Sequence, residues 1–117
     1  MGLWGTNMEP KEIFNKAWAV SNKAAHDYNA TLPPEQQRGF TCGFAWVTIH
    51  PARGPFVSWL KKRGIGSRAY GGGYQLWYSE LHTVPTQSVD VHEKAANAFA
   101  KVLKEHGITA YSGSRLD

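Results

Sequence analysis

The segment Thr41 to Pro51, T-C-G-F-A-W-V-T-I-H-P, constrains the fold more than any other stretch of this chain. Successive side chains of a β-strand point to opposite faces of the sheet, and a strand with one solvent-facing side alternates apolar with polar residues. This segment is apolar at both sets of positions. We therefore predict a central strand whose two faces both need a cover, with Trp46 in the core. The two sets are Phe40, Cys42, Phe44 and Trp46, and Gly43, Ala45, Val47 and Ile49.

An amphipathic helix is predicted before this strand, after a loose arm over residues 1–7. It begins near Pro10, a residue suited to the first turn of a helix, and ends near Asn29, since Leu32-Pro33-Pro34 cannot continue it. Its apolar stripe includes Phe14 and Trp18. We expect this helix to cover the second face of the central strand, and a second copy of the chain is the other candidate cover.

Two further helices are predicted, and they end alike. The second begins at Pro55, and the third begins at Asp90, which has capping-box spacing to Glu93. The segment F-V-S-W-L-K-K-R-G-I aligns without gaps to F-A-K-V-L-K-E-H-G-I, in which Gly64 and Gly107 fit the left-handed residue after a helix end. The alignment leaves open whether it reflects an internal repeat or only a common way for helices to end.

The order of elements predicts the fold class. Residues 66–78 form two short strands joined at Gly71-Gly72-Gly73, or alternatively one strand with a bulge, and a last strand covers residues 109–111. Strand, helix, strand, strand, helix, strand is the split βαβ, or ferredoxin-like, order. We predict one α+β domain over residues 1–117, a two-layer sandwich in which residues 1–31 are an arm and extra helix and residues 40–117 are the core.

Composition limits the setting and the partners. The formal charge of +4 permits an anionic partner without requiring one. Cys42 is the only cysteine, so neither an intrachain disulfide nor a multi-cysteine metal site is possible within this sequence. The first residues lack the pattern of a signal peptide, and no apolar run reaches transmembrane length. We expect a reduced cytoplasmic setting, no membrane association and no cofactor.

A basic, glycine-rich segment over residues 61–74, K-K-R-G-I-G-S-R-A-Y-G-G-G-Y, is the candidate ligand site. Glycine-rich backbone brings N–H groups close to phosphate, cations add counter-charge, and tyrosine stacks on bases. The alternative is a solvated helix end followed by a hairpin turn, because lysine and arginine favour helix C-termini. The candidate residues are Lys62, Arg63, Arg68, Tyr70, Gly71, Gly72, Gly73 and Tyr74.

No catalytic motif is present in the sequence. His92-Glu93 is followed by Lys94-Ala95-Ala96, so the zinc helix motif is absent. His82 begins H-T-V, which loosely resembles one half of the paired H-x-T/S motif of two-histidine phosphoesterases, but His50 reads H-P-A and supplies no second copy. No serine or cysteine has an evident base and orienting acid. We therefore predict that the protein is not an enzyme.

A set of motifs over residues 40–117 resembles small uncharacterised accessory proteins of tailed bacteriophages. The motifs are C-G-F-A-W-V, F-V-S-W-L-K, G-G-G-Y, T-Q-S, A-F-A-K-V-L, G-I and the terminal S-R-L-D. The resemblance brings no catalytic assignment. It implies a phage protein of the host bacterial cytoplasm that binds a host protein, such as a defence component. A nucleotide or nucleic-acid binder is the alternative function, and a homodimer is an open alternative for assembly.

Overall fold

The computed structural model describes residues 8–37 and 41–117. The arm over residues 1–7 and Phe40 lie outside this range. The described residues form three α-helices and four strands, with short 3-10 turns at Pro34–Gln36 and Tyr78–Glu80. The main elements are α1 Pro10–Ala30, β1 Gly43–His50, α2 Pro55–Lys62, β2 Ser67–Arg68, β3 Tyr74–Trp77, α3 Val89–Glu105 and β4 Thr109–Leu116.

The four strands form one antiparallel sheet in the order β2-β3-β1-β4. The mixed α+β class is confirmed, and so is the predicted central position of β1 in the sheet. In the register of the sheet, Trp46 of β1 lies between Trp77 of β3 and Gly113 of β4. Cross-strand neighbours point to the same face, so this register decides which side chains share a surface.

One face of the sheet is covered by helices and is mainly aliphatic, with Tyr74 of β3 as a buried aromatic residue. Ala45, Val47 and Ile49 of β1 are buried on it, together with Leu76 of β3 and Ala110 of β4. Helix α3 packs across β1 and β4 on this side, with Phe99 fully buried. These residues belong to one continuous apolar cluster that also contains side chains of α1 and α2.

Helix α1 lies on this helical layer, so the prediction that it covers the second sheet face is wrong. It packs mainly against α3 and touches α2, and the Phe14 ring contacts the rings of Trp59 and Phe99 at centroid distances of 5.4 and 5.8 Å. The buried stripe of α1 contains the small residues Ala17, Ser21 and Ala25. Small side chains allow two helices to approach closely, which favours packing on α3.

The loop after β3 fixes α1 in that place. The Ser21 hydroxyl donates to the Leu81 carbonyl over 2.6 Å, and the Thr83 amide donates to Asn22 Oδ1 over 2.8 Å. Ser21 is fully buried, so its hydroxyl needs such a partner. Ser21 is a polar residue within the apolar stripe of α1, and its hydrogen bond attaches this helix to the loop after β3.

The helix ends partly match prediction. Gly64 and Gly107 have φ of 69° and 77°, and the amides of Ile65 and Ile108 bond back to Leu60 and Leu103 in the same pattern. The predicted start of α3 at Asp90 is wrong, because Ser88 caps the helix by accepting from the Val91 amide. Asp90 therefore lies within the first turn, and the capping position directly before the helix belongs to Ser88.

The remaining strands resolve the alternatives left open by the sequence. Residues 66–78 contain a hairpin, in which the Ala69 amide bonds to the Gly73 carbonyl and Gly72 and Gly73 have φ of 106° and 86°. The last strand is longer than predicted and reaches Leu116, since β4 pairs with the whole length of β1. The prediction that Trp46 is a core residue needs correction, because its ring is half-buried on the other face.

Candidate functional site: the open face of the sheet

The second face of the sheet is covered by none of the described helices, and we call it the open face. It carries the even-numbered side chains of β1 and their cross-strand neighbours on β3 and β4. Most of these side chains are half-buried or exposed, and Thr48 is buried. The open face consists of Phe44, Trp46, Thr48, His50, Gln75, Trp77, Thr109, Tyr111, Gly113 and Arg115.

Four aromatic rings form a continuous cluster, three of them on the two central strands and the fourth directly after β3. The rings of Trp46 and Trp77 meet at a centroid distance of 5.4 Å and an interplanar angle of 62°. The Phe44 ring contacts Trp77 edge to face at a centroid distance of 6.3 Å, and it lies at the same distance from the Tyr78 ring. Each of these four residues keeps part of its surface in solvent. The cluster supplies a wide apolar surface with ring faces and edges that a flat ligand can reach.

Strand β4 packs against this cluster through Gly113 and adds a positive charge through Arg115. A Cβ atom on Gly113 would lie 2.7 Å from Cε2 and Nε1 of Trp46, so the indole lies directly against the glycine backbone. The Arg115 guanidinium lies over the Phe44 ring, 5.3 Å from its centroid. Cation–π contact of this kind places a positive charge beside the aromatic surface. The cluster therefore has a cationic border at the β4 edge.

A histidine and a tyrosine close the other end of the open face. The rings of His50 and Tyr111 stack with centroids 5.5 Å apart at an angle of 17°, and His50 Nε2 shares a hydrogen bond of 2.7 Å with the Tyr111 hydroxyl. Tyr111 is nearly half exposed, at 48%. Gly73 of the hairpin turn packs against the His50 ring, where a Cβ would lie 2.8 Å away. This end therefore offers a second, partly exposed pair of rings.

The structure does not gather the sequence-predicted set into one surface. Lys62 and Arg63 are exposed at the end of α2, where the Arg63 guanidinium lies over the Trp59 ring at 4.5 Å, in the helical layer. Arg68 is exposed on the edge strand β2. Tyr70 is fully exposed at the hairpin turn. Of the turn glycines Gly71, Gly72 and Gly73, only Gly72 and Gly73 lie near a residue of the open face, with Gly73 packed against His50.

Tyr74 is a core residue in this arrangement. Its side chain is only 3% exposed, and its hydroxyl donates to the Ile65 carbonyl over 2.6 Å. Burial, followed by the nearby Glu80 carboxylate, raises the pKa of Tyr74. That carboxylate also accepts from the Gly66 amide over 2.7 Å, so an internal anion occupies this backbone donor. Of the two tyrosines proposed to stack on a base, Tyr70 is the accessible one.

A buried histidine pair lies on the covered side of the sheet. His82 Nδ1 accepts from the Val84 amide over 3.0 Å, so a neutral His82 carries its proton on Nε2 and donates to His92 Nδ1 over 2.8 Å. The His92 ring stacks on Tyr78 at 3.7 Å and is fully buried. Desolvation lowers the pKa of both histidines to about 4, with smaller contributions from His26 and His82 respectively. The pair is therefore neutral at pH 7.

The residues of the open face are not recognisable as one group in the sequence. The apolar pattern around Phe44 and Trp46 predicts a covered surface, and no local motif marks Trp77, Tyr111 or Arg115 as binding residues. The signal that identifies them is the period of two along three strands once the pairing of those strands is known.

Comparisons with known proteins found no matching protein family, no matching curated protein and no matching solved structure. Within residues 8–37 and 41–117, no helix is both long and apolar enough to cross a membrane. The same residues contain no group of three histidine, cysteine or acidic side chains placed to hold a metal ion.

Proposed function

We propose that the protein binds single-stranded nucleic acid, with bases stacked on the open face. The observation that carries this proposal is the contact between Trp46 and Trp77 on the two central strands, where both rings remain partly exposed. Stacking on aromatic side chains is the common way in which proteins hold unpaired bases, and a four-stranded sheet with aromatics on its central strands is one scaffold for it.

Charge and spacing support the same function. Arg115 borders the aromatic cluster, and the chain carries a net charge of +4. Phosphate contacts with arginine and lysine supply most of the affinity of such modules. Tyr111 lies two residues along β1 from the tryptophan pair in the sheet register, which places a third ring along the same surface. We infer that the bound nucleic-acid strand runs across β3, β1 and β4 of the sheet.

We also propose that the sheet and the helices α2 and α3 form the split βαβ arrangement of ferredoxin-like domains. The order of elements along the chain and the strand order β2-β3-β1-β4 support this assignment. In that arrangement both helices occupy one side, which leaves the opposite side of the sheet for a ligand. Helix α1 is then an addition to the helical layer.

The test is binding of fluorescently labelled oligothymidylate and oligouridylate, measured by anisotropy at about 50 and 200 mM salt. Affinity should fall as salt rises. Trp77→Leu should weaken binding about 5- to 150-fold, because base–aromatic stacking contributes about 1–3 kcal/mol per base. Trp59→Leu is the matched control, since Trp59 is also half-buried but lies in the helical layer. Equal effects of the two variants, or no binding at low salt, would contradict the proposal.

Binding of a host protein in the bacterial cytoplasm, suggested by the phage resemblance, stays a prediction. It predicts specific capture of one protein from host lysate, lost in Trp77→Leu and retained in Trp59→Leu. A homodimer across the open face predicts a doubled mass in sedimentation equilibrium that the same variant restores to that of a monomer. Either result without nucleic-acid binding would replace the present proposal.

A further inference from the structure

A cavity of about 390 Å³ lies at the end of the sheet where β1 ends and β4 begins. The first turn of α1, the start of α2 and the residues after α3 enclose it. Its volume falls within the range of small-molecule sites, about 300–1,000 Å³. Apolar side chains of Ile13, Ile49 and Phe56 form part of its wall, so it can hold the uncharged body of a ligand.

The polar groups of this cavity favour an anion. His50, Arg53 and His106 line it, and no aspartate or glutamate is among its lining residues. His106 Nε2 is buried and has no hydrogen-bond partner among the described residues. Buried polar atoms of this kind are normally bonded, so a ligand atom is a suitable partner. Arg53 is exposed and forms no ion pair with any described residue, so its guanidinium can turn toward a bound anion.

His50 connects the cavity to the open face. Its ring stacks on Tyr111 within that face, and the same residue lines the cavity. A nucleotide stacked at this end of the sheet would therefore have its neighbouring phosphate close to the cavity mouth. The donor side chains of the cavity come from two segments of chain, His50 and Arg53 from the end of β1 and the loop after it, and His106 from the end of α3, so they can contact different oxygens of one phosphate group.

We propose that this cavity binds a phosphomonoester attached to a nucleoside. The phosphomonoester can belong to a free mononucleotide or to the end of a nucleic-acid strand bound on the open face. The second of these sources rests on the proposed function. Arg53 holds the phosphate oxygens, His106 Nε2 bonds to the same group, and the apolar wall contacts the sugar or base. Binding forms no covalent bond.

The experiment compares oligothymidylate with hydroxyl ends, with a 5′-phosphate and with a 3′-phosphate, and in parallel thymidine with its 5′- and 3′-monophosphates. A phosphate at one of the two positions should raise affinity about tenfold in at least one of these series, as expected for one charge-assisted contact. Titration calorimetry measures the mononucleotides, and anisotropy competition measures the strands.

Arg53→Gln should remove this gain, and His106→Gln should reduce it. Lys101→Gln is the matched control, because it removes the same charge from an exposed position on α3 outside the cavity. Equal affinity with and without phosphate in every series, or a gain that persists in Arg53→Gln, would overturn the inference. Failure of the hydroxyl-ended strand to bind would instead count against the proposed function, while a monophosphate preference lost in Arg53→Gln would still support the cavity.

Discussion

The two faces of the sheet are built from the same strands but from different side chains. The covered face presents Ala45, Val47, Ile49 and Leu76, which are buried on the side of the sheet that carries the helices. The open face presents tryptophan, phenylalanine and tyrosine, whose rings pack on one another and keep some contact with solvent. Aliphatic side chains interdigitate with a helix, whereas flat rings leave surfaces on which another flat group can stack. An apolar strand face is therefore not always a core face.

The largest expected difference between the faces is in stability. Phe99→Ala should lower the free energy of unfolding by about 3–5 kcal/mol, because the ring is fully buried and packs against Phe14 of α1. Phe44→Ala, the same change on the open face, should cost about 1–2 kcal/mol, since that ring is already partly solvated. Urea denaturation measures both, and an equal loss for the two variants would contradict the distinction between the faces.

Lowering the pH should reduce the stability of the fold, because the buried His82–His92 pair must then take up protons. Both pKa values are about 4 in the folded protein and 6.5 without burial, so the unfolded chain binds more protons between these values. Stability is then fully present above about pH 6.5, decreases as the pH falls, and levels off below about pH 4. A shift of this size corresponds to roughly 3 kcal/mol for one histidine.

Denaturation at pH 7 and pH 5 measures this loss. His92→Phe removes one of the two titrating rings while keeping an aromatic ring beside Tyr78, so its stability should depend less steeply on pH. A wild-type stability that does not change between these two values would rule out the neutral buried pair.

A smaller loss of stability is expected when the contact between Trp46 and Gly113 is disturbed, and a second glycine variant shows whether this loss is specific to that contact. Gly113→Ala places a methyl group where the indole lies, and overpacking of this kind costs about 1–3 kcal/mol. The displaced ring should also weaken binding on the open face. Gly71→Ala is the stability control, since a Cβ there meets no atom within 4 Å. Similar melting temperatures for both variants would show that Trp46 does not depend on this glycine.

Local rules in the sequence predict the elements better than their arrangement. The central strand follows from its apolar pattern and the two helix ends follow from Gly64 and Gly107, whereas Gly71-Gly72-Gly73 left a hairpin and a bulged strand as alternatives. The position of α1 does not, because an apolar stripe fits either a sheet or a helix, and only the contacts of Phe14 and Ser21 decide between them. The start of α3 was missed because Ser88 and Asp90 both satisfy the preferences of helix N-termini.

The candidate site was harder to predict for a related reason. A charged glycine segment is visible within fourteen consecutive residues, whereas the open face combines side chains from three strands that are far apart in the chain. Phe44 and Trp46 are apolar, so periodicity alone assigns them to a core. Their partial exposure depends on where α1 packs, which the sequence pattern leaves undetermined.

The most direct test is to follow the indole N–H signals of the tryptophans in an ¹H–¹⁵N spectrum during titration with oligothymidylate. Assignment by single Trp→Phe variants identifies each signal. If bases stack on the open face, the signals of Trp46 and Trp77 should shift and saturate together, whereas those of Trp18 and Trp59 in the helical layer should stay in place. Shifts confined to Trp18 and Trp59, or no shift at saturating oligonucleotide, would contradict the account.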